Sequence, residues 1–329
     1  MQKCPVIFLI LLMLTVPAMS FDEDNYTSDG QWNVSSSKDE FIHYKDHDQL
    51  LKRSANDYDY IDGRFFSDQE DITNDYQVHV IYILASDSKD KEYDVNGTIE
   101  KIVLRGNDHL KENTNQQQFR LDLTKDGELD VSFMRVSKTR KEINRLENGA
   151  GYFTGMAILN GFNNPRKLYS IFYQDSYQGE WGQLGDAIYH TPNGTVEINA
   201  GVVYLGADKV SDAWIPHIHE LFHALGFVQL CAPGAIIDRY SSWGKNDHLK
   251  YDNDIMSESG DSFYIDKKRT DYYGHSNSDC ELDLERSAYM VPTMSDFQLQ
   301  PYSPSCKLTR WQPKYNHARS LDCLSKLDF

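Results

Sequence analysis

Hydrophobic and polar positions along the chain predict strands and helices between about residues 76 and 227. Residues 78–84 are almost continuously apolar, which is typical of a strand buried on both faces. Residues 97–111 carry apolar side chains at helical spacing, so we predict a helix there. The apolar runs 168–173 and 196–205 predict two more strands. This order of elements favours an α/β fold of the α+β kind, with a mixed sheet.

A β-hairpin is predicted around Asp126-Gly127, because apolar residues alternate on both sides of this turn sequence. Residues 122–133 superficially resemble a calcium-binding loop. Phe133, however, stands where such a loop requires a bidentate Glu. We therefore interpret these residues as a hairpin and reject a calcium site there.

The chain beyond residue 227 has few regular signals and is rich in Asp, Gly, Ser and Tyr. We expect a loop-rich C-terminal subdomain held by disulfides. After loss of Cys4 with the N-terminal signal, four cysteines remain: Cys231, Cys280, Cys306 and Cys323. Chain order suggests the pairs 231–280 and 306–323, although four cysteines permit three pairings. Metal ligation by these cysteines is the weaker interpretation, because CxxC spacing is absent.

The N-terminus predicts a secretory signal over residues 1–20. Lys3 supplies the positive charge, residues 5–17 form a short apolar core, and Ala18-Met19-Ser20 fits a cleavage site. This core is shorter than the roughly 20 residues of a membrane span. We therefore expect a secreted, extracellular protein without stable membrane insertion.

Residues 21–75 predict an acidic, flexible leader. They contain 15 Asp and Glu against 5 Lys and Arg, and they lack apolar periodicity. The leader is a candidate pro-segment, with Lys52-Arg53 as a conceivable processing point. Residues 76–329 would then form a single folded domain.

The net charge of −17 and the pI near 5.0 change the range of expected partners. Nucleic acid requires a basic surface, so we exclude it as a partner, and anionic membranes are disfavoured for the same reason. We expect a monomer. Four N-x-[ST] sequons lie at Asn25, Asn33, Asn96 and Asn193, and they matter only in a glycosylating secretory pathway.

The sequence His219-Glu220-Leu221-Phe222-His223 is an HExxH motif within a run that predicts one helix, residues 214–227. Two histidines four residues apart lie on one helical face, so both imidazoles can reach one zinc ion. Glu220 is then placed as the general base of a zinc peptidase. Gly226 stands where such a helix could end.

The motif resembles metzincin-type peptidases through His219, Glu220, His223 and Gly226, but Gln229 stands where their third histidine would be. Asp254-Ile255-Met256 resembles the methionine turn of those enzymes. Most of the predicted domain is also similar to a little-characterised group of secreted bacterial proteins. The residues that carry this second resemblance are Cys231-Ala232-Pro233, His248, Asp254-Ile255-Met256 and the run Asp271 to His275.

A catalytic zinc usually takes three protein ligands and keeps a fourth position for water. We favour His248 as the third ligand, because it is the first histidine after the helix and imidazole suits zinc well. The competing candidates are His275, Asp247, Asp254 and Gln229.

The resemblance implies further roles in this region. Tyr272, Tyr273 or His275 would stabilise the oxyanion, and Met256 would form the methionine turn. Ordinary core packing is the alternative for Met256. A calcium ion is a further possible cofactor. Its candidate ligands are Asp252, Asp254, Glu258 and Asp261, and a solvated acidic loop is the alternative.

The sequence thus predicts a secreted zinc endopeptidase that acts on a protein or peptide substrate. Two other classes stay open. One is a secreted binding protein with a peptidase-like fold and no turnover, and the other is a zinc hydrolase of non-peptide amides or esters. The intact Glu220 favours an enzyme, since a structural zinc site needs no base and is normally closed by four protein ligands.

Overall fold

The architecture comes from a computed structural model. It describes residues 32–33, 59–146, 148–175, 181–191, 194–206, 210–236, 248–250, 253–257 and 264–295. The strands are β1 (Trp32–Asn33), β2 (Gln77–Leu84), β3 (Gln118–Phe119), β4 (Val131–Arg135), β5 (Lys167–Tyr173), β6 (Trp181–Thr191), β7 (Gly194–Tyr204) and β8 (Met290–Val291). The α-helices are α1 (Thr98–Asn113), α2 (Arg140–Ile143), α3 (Gly149–Leu159) and α4 (Trp214–Ala224).

One mixed sheet organises the fold, in the order β1-β6-β7-β5-β2-β4. β4, β2, β5 and β7 are parallel to one another, whereas β6 runs antiparallel to β7. The two-residue strand β1 pairs with β6 at the edge. A small second sheet joins β3 to β8. The predicted mixed α/β fold is therefore confirmed.

Helices cover both faces of the sheet, so its central strands are buried on both sides. Val80 and Tyr82 of β2 belong to the core that contains α1 and α4. Ile81 and Ile83 of the same strand belong to the core that contains α3. Every residue of β2 is buried, as its continuous apolar run predicts.

The predicted hairpin is present from Asp122 to Asp130, which share a backbone hydrogen bond of 3.0 Å, and does not extend into β4. Thr124 and Glu128 share a backbone hydrogen bond of 2.9 Å, and Leu123 and Leu129 form an antiparallel bridge. The chain then leaves the hairpin, and β4 pairs in parallel with β2. The central sheet offers β4 a longer ladder than a two-stranded hairpin does, and this longer ladder determines its partner.

Residues 59–75 contact the sheet through ion pairs. Arg64 is buried, binds Asp94 and Asp90, and lies over the Phe133 ring. Asp59 pairs with Arg135 at 2.6 Å. The predicted boundary at residue 76 stays a prediction, as does the signal over residues 1–20, which lies outside the described residues.

The described part of the C-terminal region is rich in turns, with one 3₁₀ turn at Leu284–Arg286 and the short strand β8. The disulfide between Cys231 and Cys280 is present, as predicted. Cys306 and Cys323 lie outside the described residues. Within those residues, no helix combines the length and the hydropathy that crossing a membrane requires.

Candidate metal centre

Helix α4 carries the HExxH motif and packs across the sheet. Ile218 and Leu221 are fully buried in the core, and they anchor the apolar side of the helix. The helix ends at Ala224, and Gly226 adopts a left-handed conformation with φ of 93°. That conformation is accessible to glycine and favours termination at the predicted place.

Three imidazoles converge beside this helix. The Nε2 atom of His223 lies 2.9 Å from Nε2 of His219 and 3.2 Å from Nε2 of His248. The Nε2 atoms of His219 and His248 are 3.1 Å apart. The loop residue predicted as third ligand thus lies next to the two helix histidines.

Backbone carbonyls determine how two of these rings are protonated. His219 Nδ1 donates to the carbonyl of Ile255 at 2.6 Å, and His223 Nδ1 donates to the carbonyl of Phe227 at 2.8 Å. A carbonyl only accepts, so Nδ1 carries the proton and the neutral ring directs the Nε2 lone pair into the cluster. This is the arrangement in which histidine binds a metal.

The cluster fits a zinc ion. Two nitrogens bound to one tetrahedral zinc ion at 2.0–2.1 Å lie about 3.3–3.4 Å apart. The three observed separations are within a few tenths of an ångström of that value. Converging lone pairs repel each other unless a cation lies between them. His219, His223 and His248 therefore form a candidate metal site.

Glu220 lies against the sheet next to the cluster. It is 5% exposed, and its Oε1 is 3.9 Å from Nε2 of His219. Two glycines of the sheet allow this close approach. A Cβ atom at Gly182 of β6 would lie 2.6 Å from Oε1 of Glu220, and one at Gly201 of β7 would lie 3.0 Å from the Glu220 backbone carbon.

The loop beneath the histidines contains the predicted methionine turn. Met256 is fully buried in the same core as α4. Its carbonyl accepts from the backbone N–H of Leu249 at 2.8 Å, so the loop is joined to the segment that carries His248. The metal-floor role of Met256 stays a prediction.

The residues predicted as oxyanion stabilisers have their polar atoms bonded elsewhere. The Tyr272 hydroxyl donates to Asp254 at 2.8 Å, and the Tyr273 hydroxyl donates to Gln117 at 2.8 Å. His275 Nε2 donates to the Leu282 carbonyl at 2.7 Å. None of these bonds supports the oxyanion role, which stays a prediction.

The competing zinc ligands have other partners. Gln229 accepts from the backbone of Leu282 at 2.8 Å. Asp254 accepts hydrogen bonds from Met256 N, Tyr272 Oη and Asp266 N, so both its carboxylate oxygens already have protein donors. Asp247 lies outside the described residues. So do three of the four candidate calcium ligands, Asp252, Glu258 and Asp261, and a calcium site stays a prediction.

A second polar cluster, which the sequence pattern did not indicate, lies where the parallel strands begin. Asp68, His79, Asp122 and Asp130 come together there. The Lys167 ammonium lies 2.7 Å from Asp122 and supplies a positive charge. Burial alone would lower the pKa of Lys167, but hydrogen bonds to Asp122, Asp68 and Asp71 raise it. Asp122, His79 and Ser132 also form a hydrogen-bonded row, but all three are fully buried and out of reach of a substrate.

The glycines that hold Glu220 were also missed by sequence reasoning. Gly182 and Gly201 belong to different strands, and only the sheet register places both beneath one helix. A glycine within a strand is the available signal, since it indicates close approach of another segment. That signal does not identify which segment approaches.

No family model and no curated protein matches the chain. Among solved structures, it is similar to wild-type OgpA from Akkermansia muciniphila, with 14% identity, TM-score 0.31, and coverage of 51% of this chain and 52% of that one. It is also similar to catalytically inactive OgpA in complex with an O-glycopeptide (glycodrosocin) substrate, with 13% identity, TM-score 0.30, and coverage of 51% and 52%.

This chain therefore spans about half the length of the OgpA structures that it matches. A likeness at this level carries no functional argument, and the metzincin resemblance stays a prediction. The fold and the site themselves define a mixed α/β protein with three convergent histidines beside a buried glutamate.

Proposed function

We propose that this protein is a zinc-dependent endopeptidase. The observation that carries the proposal is the convergence of the His219, His223 and His248 Nε2 atoms within 2.9–3.2 Å of one another, next to Glu220. Three imidazole ligands leave a fourth position open, which distinguishes a catalytic zinc site from a structural one. Zinc held there would supply the Lewis acidity that activates water and polarises a scissile carbonyl.

Glu220 acts as general base and then as general acid. Its carboxylate accepts a proton from the attacking water and returns that proton to the leaving amine. The helix places Glu220 one residue after His219, and the glycines of β6 and β7 hold its side chain close to the sheet. Shielding from bulk solvent strengthens the interaction of this carboxylate with charge that develops during the reaction.

A peptide substrate is supported by the position of β6. Within the described residues, β1 covers β6 only at Ala187 and Ile188. The segment of β6 around Gly182 lies beneath Glu220, and among the described residues no strand pairs with its outer edge. An extended peptide can pair with such an edge through its backbone. We also propose that the protein is secreted, which the N-terminal pattern and the Cys231–Cys280 disulfide support.

A substrate panel tests this function. Purified full-length protein is assayed on denatured casein, on a peptide library, and on small amide and ester substrates, before and after zinc removal. We expect turnover of casein and peptides, its loss on chelation, and its return with zinc. Turnover of the small substrates alone would indicate a non-peptide hydrolase. Peptide binding without turnover would indicate a binding protein.

A further inference from the structure

The short loop Asp254–Ser257 contacts two of the three histidine-bearing segments through its backbone. The Ile255 carbonyl accepts the Nδ1 proton of His219 at 2.6 Å. The next carbonyl, that of Met256, accepts from Leu249, the residue after His248, at 2.8 Å. The position of this loop therefore affects the direction in which both imidazoles point.

The Asp254 carboxylate holds this loop. Its Oδ1 accepts from Met256 N at 2.9 Å and from the Tyr272 hydroxyl at 2.8 Å, and its Oδ2 accepts from Asp266 N at 2.8 Å. Asp254 is 5% exposed, and burial raises its pKa to about 6. These three hydrogen bonds tie the loop that contains Met256 to the segment that contains Asp266 and Tyr272.

Tyr272 connects this carboxylate to the helix. The tyrosine is fully buried, and its ring lies 5.7 Å from the Phe222 ring and 6.1 Å from the Phe227 ring, measured between centroids. Phe222 precedes His223, and the Phe227 carbonyl accepts the His223 Nδ1 proton. Tyr272 thus packs beside the ring of Phe227, whose carbonyl orients His223. It also donates to the carboxylate that holds the loop orienting His219.

We propose that Asp254 and Tyr272 are positioning residues for the metal centre, which act through the Ile255 carbonyl on His219. The inference rests on the proposed zinc site, but not on turnover. The hydrogen-bond partners of ligating histidines fix ring orientation, and their loss typically weakens metal affinity by 10–100-fold. This role differs from the oxyanion role predicted for Tyr272, because its hydroxyl contacts a carboxylate and not a substrate.

The matched control is Tyr289. It is a fully buried tyrosine of the same core, and its hydroxyl has no hydrogen-bond partner among the described residues. Tyr272→Phe and Tyr289→Phe each remove one buried hydroxyl and keep the ring. Only Tyr272→Phe removes a bond to Asp254. Loss of a buried hydroxyl as such would therefore lower zinc affinity in both variants, whereas loss of the positioning contact would lower it only in Tyr272→Phe.

The experiment measures zinc affinity by competition with a chromogenic chelator, on full-length wild type, Tyr272→Phe, Tyr289→Phe and Asp254→Asn. Thermal unfolding of the zinc-free proteins provides the folding control. We expect affinity to fall about tenfold in Tyr272→Phe, and at least as far in Asp254→Asn. The visible spectrum of the Co²⁺-loaded protein should change in both variants. Tyr289→Phe should keep the affinity and spectrum of wild type.

Two results would overturn the inference. One is a Tyr272→Phe variant that is folded, with wild-type zinc affinity and an unchanged Co²⁺ spectrum. The other is an equal loss of affinity in Tyr272→Phe and Tyr289→Phe. Wild-type protein that binds zinc and hydrolyses nothing would refute the peptidase function alone, because affinity and spectrum still report on positioning. Wild-type protein that binds no zinc would refute both.

Discussion

Replacing Gly182 with alanine should separate the position of the general base from metal binding. A Cβ atom there would overlap Cγ of Glu220 and lie 2.6 Å from Oε1 and 2.8 Å from Cδ. Ordinary contacts between carbon atoms are about 3.5–4.0 Å. The Glu220 side chain must therefore move by about 1 Å, because its helix is fixed by buried neighbours on the core side.

The expected effect is selective for turnover. A misplacement of about 1 Å can lower a rate about 100-fold, which corresponds to about 2.7 kcal/mol of transition-state stabilisation. The three atoms nearest the added methyl all belong to Glu220, so zinc affinity should stay at the wild-type value. The assay measures kcat/KM on a fluorogenic peptide, together with zinc content, for Gly182→Ala and wild type.

Gly185→Ala is the control in the same strand. Its Cβ atom would lie 2.8 Å from the Ala150 carbonyl of α3, on the opposite face of the sheet from Glu220. Overpacking of this kind costs about 1–3 kcal/mol of stability, and folded protein should keep near-normal turnover. The reasoning fails if Gly182→Ala retains turnover within about threefold of wild type, or if both variants lose it equally.

Three other outcomes are expected. His248→Ala should bind zinc far more weakly, and His275→Ala should bind it normally, which competition with a chelator measures; the reverse result would transfer the ligand role to His275. Burial lowers the pKa of His217 to about 3, so the unfolded chain takes up a proton below pH 6.5 that the folded protein does not. Between pH 7 and 5, the free energy of unfolding should therefore fall by about 2 kcal/mol more in wild type than in His217→Gln, as urea unfolding measures. Equal decreases in the two proteins would contradict this. Replacing Cys231 and Cys280 with serine should lower the free energy of unfolding by about 4 kcal/mol, because the disulfide closes a loop of 49 residues. Unchanged urea unfolding would show that the disulfide does not constrain the unfolded chain.

The elements with the clearest periodicity were predicted correctly. The continuous apolar run of β2 and the motif helix α4 appear where the pattern places them, and Gly226 follows the end of that helix. These segments carry enough local signal to specify their structure. In these segments, packing in the folded protein favours the same secondary structure that the local sequence favours.

Helix α3 and strand β6 were not predicted. α3 is apolar on all sides because it is buried, so it lacks the alternation of faces that identifies an amphipathic helix. β6 contains two glycines and no regular alternation, and its place is set by pairing with β7. Long-range pairing of this kind has no local signature in the sequence.

The candidate site could be predicted only as far as side-chain identity allows. The sequence indicated His219, His223 and His248, and the structure brings these three together. The partners that orient two of these rings are the backbone carbonyls of Ile255 and Phe227. Any residue provides a carbonyl, so such partners have no sequence signature and emerge only from the fold.

Glu220→Gln is the variant that tests the central claim most directly. It keeps the size of the side chain and removes the carboxylate base. We predict one zinc ion per chain in both wild type and Glu220→Gln, measured by elemental analysis, and a loss of peptide turnover of about 10²- to 10⁴-fold in the variant. Wild-type turnover in zinc-loaded Glu220→Gln would contradict the account, as would active wild-type protein that contains no zinc.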